Sequence, residues 1–358
     1  MKKIISVSLI IGTLLFAVTG CKDSVDTDET TEEFPVGYSA KYQLTYGESF
    51  KIGFSKLERI SEVTVILEDS ILQTWNNAPK ISETSFDITS FGIGVKGLTI
   101  KVKDKSGKEF AENQTIRILS DIQPLAQTVK VISLYPHNTE DFTQGLEIVN
   151  GLLYEGTGDP NRMGATKVMQ KQLKSGEVQK ETALDAGYFG EGITILNNKL
   201  YQLTWTSQKC FVYDFPSLAK TDLSFSYTGE GWGLTNDGKY LIMSDGSERL
   251  YFRDPATFAI KKIIQVYDNA GPIKYLNELE YVDGIVYANV WMSNKIVAIE
   301  AETGKVLKSI DCMDLTLKAK GNGDVLNGIA FDHSAKKFYL TGKYWPQLAE
   351  VEFSNEQK

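Results

Sequence analysis

The stretch Phe189-Gly-Glu-Gly-Ile-Thr-Ile-Leu-Asn-Asn-Lys-Leu-Tyr-Gln-Leu-Thr-Trp205 decides the fold. It reads as a β-hairpin. Ile193 and Ile195 alternate with Thr194, Asn197-Asn198 supplies the turn, and Tyr201, Leu203 and Trp205 share one face of the return strand. Glu191 stands between two glycines just before the first strand, and Trp205 closes the second. The same hairpin returns along the chain with other residues in those two places.

From Val129 onward the pattern occurs five times, anchored on Leu146, Ile193, Leu234, Leu279 and Ile329, which lie 41 to 50 residues apart. The turns Asn150-Gly151, Asp237-Gly238 and Asp283-Gly284 are dipeptides that give two-residue hairpins their positive φ. A third strand follows the hairpin, as in Lys209–Tyr213, Arg249–Arg253 and Lys295–Ile299, and then a fourth, as in Lys305–Ile310. Four-stranded repeats of this length are the signature of β-propeller blades. Residues 125–358 are therefore expected to form a five-bladed β-propeller. The leftover strand Lys130–Leu134 is expected to complete the last blade, closing the ring and removing its open edges.

Upstream, residues 34–124 alternate with period two, in Val63–Leu67, Leu98–Val102 and Gln114–Ile118, with turn clusters such as Asp104–Gly107 between them. About seven short strands predict a small immunoglobulin-like β-sandwich, so the whole chain is all-β. It carries no chemical constellation and reads as a spacer or interaction module. In residues 1–20, Lys2 and Lys3 precede an apolar run from Ile4 to Val18 that is too short to span a bilayer. Val18-Thr-Gly-Cys21 resembles a bacterial lipobox, which implies a signal peptide removed before a lipidated Cys21. Residues 21–33 are polar and acidic and read as a flexible tether. The expectation is a cell-envelope lipoprotein of the outer membrane, held by its lipid, with the periplasmic or surface face left open.

A net charge of -8, from 38 basic and 46 acidic residues without a basic cluster, excludes nucleic acid as a partner. Two histidines, His137 and His333, are too few for a histidine-built metal centre. Cys210 and Cys312 lie in strands of different repeats and read as two separate buried thiols, pairing in an oxidising envelope being the alternative.

A propeller's innermost strands line an axial channel, and the loops at one end of it form the usual site. Two columns of the repeat therefore matter. Two residues before each anchor stand Gln144, Glu191, Trp232, Asn277 and Asn327; at the end of each second strand stand Gly158, Trp205, Asp245, Trp291 and Lys343. Purely structural repeats place similar residues at equivalent positions, and these differ. Three of the five tryptophans fall in the two columns, mixed with Glu, Asn and Lys, which predicts an aromatic-walled polar pocket. Asp245 reads as a turn carboxylate, and Asn327 serves a turn as readily as a ligand.

The strings Phe142–Leu146, Phe189–Gly192, Gln202–Trp205, Glu230–Leu234, Leu276–Glu280, Asn289–Trp291 and Thr341–Pro346 resemble the plant and bacterial glutaminyl-peptide cyclotransferases. The resemblance covers about residues 129–354. It implies a five-bladed propeller whose members convert an N-terminal glutaminyl residue of peptides and proteins into 5-oxoproline, releasing ammonia. It also implies a site of Gln144, Glu191, Trp205, Trp232, Asn277, Trp291 and Lys343, with no catalytic metal or cofactor; a structural ion in the channel is left open. The residue types suit such chemistry. Glu191 is expected to shuttle the proton, with its pKa raised by indole neighbours. Lys343, Asn277 or Gln144 would stabilise the oxyanion, and Trp205, Trp232 and Trp291 would hold the substrate. The protein is expected to be monomeric. The competing reading is a non-catalytic propeller lipoprotein binding peptide or glycan in the same pocket.

Overall fold

The computed structural model describes residues 33–76, 83–160 and 166–355. The leader, Cys21 and all of the tether except Glu33 lie outside the described residues. What is described is almost entirely β-structure, in two regions.

The first region places a three-stranded sheet (Gly37–Ala40, Phe50–Ser55, Thr84–Phe86) over a five-stranded one (Gln43–Thr45, Glu109–Leu119, Gly94–Asp104, Ile60–Leu67, Ser70–Asn76). Alternation puts Phe50, Ile52, Val63, Val65, Ile100 and Ile116 into one core between them. Each such burial contributes about 1.5–3 kcal/mol. The last strand ends at Leu119, and the next begins at Leu125.

The second region holds three four-stranded antiparallel sheets and one eight-stranded sheet. The four-stranded sheets run from Thr143 to Ala183, from Gly190 to Ser226 and from Leu234 to Gln265. One half of the large sheet runs from Leu276 to Asp311. The other joins Leu326–Asp332, Lys337–Gly342 and Gln347–Asn355 to Leu125–Pro136. Leu125–Pro136 begins earlier than the expected Lys130. Residues 127–136 of it supply the fourth strand beside Gln347–Asn355, while Leu125–Thr128 pairs in parallel with Lys308–Asp311 on the other edge. One strand thus ties the end of the chain to two sheets.

Type I′ geometry is present where the dipeptides require it, at Asn150-Gly151, Asn197-Asn198 and Asp283-Gly284, all with positive φ. Asp237-Gly238 differs. Its strands end at Asn236 and Leu241, so the loop is longer than two residues, and only Gly238 has positive φ. The cause is the Asp237 carboxylate, whose Oδ1 accepts from the N–H groups of Lys239 (2.8 Å) and Tyr240 (2.6 Å), closing a wider turn. A short helix, Met313–Ala319, interrupts the last connection and was not expected. Cys210 and Cys312 are separate buried thiols.

The first strand of each sheet packs against that of the next, and the last returns to the first. At these contacts backbone meets backbone. A Cβ on Gly145 would strike the Ile193 nitrogen, one on Gly192 the Leu234 nitrogen, and one on Gly233 the Asn277 carbonyl oxygen. Hydrogen bonds cross the same seams, from Gly192 N–H to Trp232 O (2.7 Å) and from Ser244 Oγ to Asn277 O (2.8 Å). The equivalent residue in the fourth repeat is Glu278. Fully buried, its carboxyl reaches across to accept from Leu146 N–H (3.2 Å) and Ile329 N–H (2.7 Å).

Gly233→Ala is expected to cost about 3 kcal/mol or more, because backbone cannot yield. Gly238→Ala, with positive φ but open space around it, should cost only about 1 kcal/mol. Thermal unfolding of the two variants checks this, and equal losses would refute the close approach as the cause.

Candidate active site

In four first strands the ladder register slips between Thr143 and Gly145, Gly190 and Ile193, Leu276 and Leu279, and Leu326 and Ile329. A bulge of this kind re-aims the intervening side chain. The residues so released include Gln144, Glu191, Asn277 and Asn327. Trp232 precedes the third ladder, which opens at Leu234.

A pocket of about 450 Å³ lies at this end, and all seven expected residues line it: Gln144, Glu191, Trp205, Trp232, Asn277, Trp291 and Lys343. Asn327 stands behind them, its Nδ2 donating to Thr143 O (3.0 Å) and Gln144 Oε1 (3.1 Å). Asp245 accepts from Ser247 N–H (3.0 Å) and the Tyr251 hydroxyl (2.8 Å), as a turn carboxylate does. Phe142, Pro160, Phe189, Met292 and Asp324 also line the pocket and were missed from sequence.

The wall is a chain of aromatic contacts. Ring centres are 5.9 Å apart for Phe142 and Phe189, 5.7 Å for Phe189 and Trp205, and 5.5 Å for Trp232 and Trp291. The break between Trp205 and Trp232 is bridged by Glu230, whose Oε2 accepts from both indoles, at 2.6 and 2.9 Å. Phe142, Phe189, Glu230 and Tyr275 each lie two residues before a site residue. That third column was available from the repeat spacing, and it supplies the pocket's supports.

Electrostatics at the floor follow from burial. Glu191 is 5% exposed, and burial raises its carboxyl pKa well above the usual range; the nearby Lys343 charge opposes this and Glu230 adds to it. Burial likewise lowers the Lys343 ammonium pKa, against the pull of Glu191 and Asp324. The Lys343 Nζ lies 4.5 Å from the centre of the Phe142 ring. Glu191 is held by Gln144, whose Nε2 donates to Oε1 at 3.1 Å. Among the described residues the buried Asn277 Oδ1 has no hydrogen-bond partner.

Below the pocket His137, Asp141 and Glu155 come close enough to share an ion. A resident cation is already there: Lys171 Nζ lies 2.5 Å from both Asp141 Oδ2 and Glu155 Oε2. This donor set does not fit a metal. Burial raises the Glu155 pKa, but the Lys171 and His137 charges outweigh it and hold the carboxyl far below its usual range. The network ties together the segments that carry Phe142 and Lys343, through Tyr344 N–H to Asp141 O (2.9 Å) and His137 Nδ1 to Trp345 O (2.7 Å).

The family model described as glutamine cyclotransferase matches residues 106–353. The chain belongs to the glutamine cyclotransferase family. A glutaminyl-peptide cyclotransferase of Arabidopsis thaliana is 38% identical over 236 residues, covering 64% of this chain and 73% of the relative. The crystal structure of Myxococcus xanthus glutaminyl cyclase is similar with a TM-score of 0.61 and 34% identity, over 66% of this chain and 100% of that one.

If Glu230 holds both indoles, Glu230→Ala should loosen them and raise iodide quenching of tryptophan emission. Unchanged quenching would assign their placement to the ring contacts alone.

Proposed function

We propose that this chain is a glutaminyl-peptide cyclotransferase in which Glu191 carries the proton between the attacking amine and the departing ammonia. One observation bears most of the weight: a buried carboxyl, with its pKa raised, on the floor of an indole-walled pocket in a chain of this family. Such a group holds its proton to higher pH than an ordinary carboxyl and is shielded from bulk water.

In the reaction the substrate's α-amine attacks its own side-chain amide carbon. A C–N bond forms to close the five-membered lactam, the bond to the amide nitrogen breaks, and ammonia leaves. The nucleophile belongs to the substrate, so the protein's first task is to hold a reactive conformer, which the indoles of Trp205, Trp232 and Trp291 do. Glu191 accepts the proton lost by the attacking amine and returns it to the leaving nitrogen. Gln144 keeps that carboxyl in place. The Asn277 Oδ1, lacking a protein partner, accepts from the substrate's amine. Lys343 faces the amide oxygen and stabilises the charge developing on it. These steps use no resident metal.

The finer architecture belongs to the same proposal: residues 125–358 form a five-bladed propeller and residues 34–124 an immunoglobulin-like sandwich. The repeat spacing and the order of the sheets support that reading. A lipid on Cys21 would hold the monomeric enzyme at the outer membrane, acting on peptides and proteins with N-terminal glutamine.

Incubated with a Gln-initiated peptide, the protein should release ammonia and leave a product 17 Da lighter, the mass of the ammonia lost. Glu191→Gln should bind the peptide while losing about 10²–10⁴ in turnover. Full activity in that variant would remove Glu191 from the mechanism, and binding without turnover by the unaltered protein would favour the binder.

The pH dependence has a defined sign. Glu191 must be ionised to accept the proton, so the acidic limb of kcat/KM should lie above the usual carboxylate range. Lys343→Met removes a charge that lowers the Glu191 pKa, so the limb should move to higher pH. A limb left in place would dissociate Lys343 from Glu191.

A further inference from the structure

Once an N-terminal glutaminyl residue fills the pocket, the rest of the peptide must leave across its rim. Much of that rim is charged. Beside Trp205 stands the partly exposed carboxylate of Glu230, and at the fifth repeat the exposed Asp324. The fourth repeat is different. There Trp291, Tyr275 and Met292 are 37%, 54% and 68% exposed, three large apolar side chains on the surface of one repeat.

Their backbone argues against accident. Tyr275 and Met292 both have left-handed conformations, with φ of 63° and 60°, a region that favours glycine or asparagine. Exposed positions of this kind offer a bulky apolar residue neither burial nor backbone ease. The conformation at Tyr275 is imposed by its neighbours: its N–H donates to Gly246 O and its carbonyl accepts from Trp291 N–H, both at 2.8 Å. The Tyr275 and Trp291 rings lie 6.2 Å apart. Strained residues held in this way cluster at ligand-binding sites. The patch is continuous with the pocket, whose lining includes Trp291 and Met292.

We propose that Tyr275, Trp291 and Met292 form a subsite for an apolar side chain at the second position of the substrate peptide. The inference rests on the cyclotransferase reading of the pocket and adds a selection among Gln-initiated chains. An aromatic or aliphatic second residue lies over the shelf and leaves water, whereas a small polar one gains nothing there.

The experiment compares kcat/KM for Gln-Phe-Ala, Gln-Ser-Ala and glutamine amide, which has no second residue. The full chain should prefer Gln-Phe-Ala over Gln-Ser-Ala by about tenfold, the order expected for covering part of an aromatic ring. In Tyr275→Asn combined with Met292→Asn that ratio should fall toward one. Asparagine suits both left-handed positions, so the variant keeps its fold. A ratio near one in the unaltered protein, or a preference surviving both substitutions, would overturn the subsite. So would an equal loss on all three substrates, which would mean that the two residues only prop Trp291. Failure of the unaltered protein to release ammonia from any of the three substrates would overturn the reading of the pocket itself, and the subsite with it.

Discussion

Around the axis of the second region, neighbouring backbones approach until side chains are excluded from the points of contact. Gly145, Gly192 and Gly233 mark those points, and any larger residue there would collide with the next strand. The residues immediately before them are Gln144, Glu191 and Trp232, all in the pocket wall. Close approach and site are therefore one feature: the packing that denies a Cβ to one residue aims its neighbour inward. Glu278 meets the same constraint by another route, turning its carboxyl across the ring to N–H groups on two other first strands.

Two buried carboxyls near the pocket, Glu155 and Glu191, are satisfied in different ways. Glu155 is paired with Lys171 and hydrogen-bonded by Thr143, so its charge is compensated and its proton is held off. Glu191 has an amide for a partner, and among the described residues no ion pair joins it to Lys343. The nearby Lys343 charge only partly offsets burial, so the carboxyl pKa stays raised and its proton is available for exchange. The ion-paired cluster braces the segments on which the exchangeable carboxyl's neighbours sit.

The N-terminal sheets meet the second region at the connection that follows Gln265. Tyr267 enters their core, and Ser120 N–H donates to Asp268 O at 3.1 Å. Lys305 adds an ion pair with Asp121 (2.8 Å) and lies 3.7 Å from the centre of the Tyr46 ring. The same connection then runs on to Tyr275 and Asn277, at the rim and floor of the pocket. The N-terminal sheets thus anchor one end of the segment that runs to Tyr275 and the pocket residue Asn277.

Much of this was legible beforehand, because it repeats. The recurrence of Leu146, Ile193, Leu234, Leu279 and Ile329 at 41 to 50 residues makes the hairpins visible, and comparing equivalent positions isolates the residues that differ. The supports at Phe142, Phe189 and Glu230 fall in a further column of that comparison and went unread, since an aromatic or acid before a strand carries no signal by itself. The Asp237-Gly238 turn was misread because its geometry is decided by a side-chain hydrogen bond rather than by the dipeptide. Sequence alone therefore determined the repeat and the two columns of residues that differ within it, which follow from local periodicity, while the choice of seven among those ten rests on the resemblance to the family. Only the tertiary structure decided that Glu230 joins two indoles, that Glu278 spans the ring to Leu146, and that Lys171 fills the place of an ion. The longest of these contacts, Glu278 to Leu146, spans 132 positions, and which side chains meet in each of them is set by packing rather than by any local pattern.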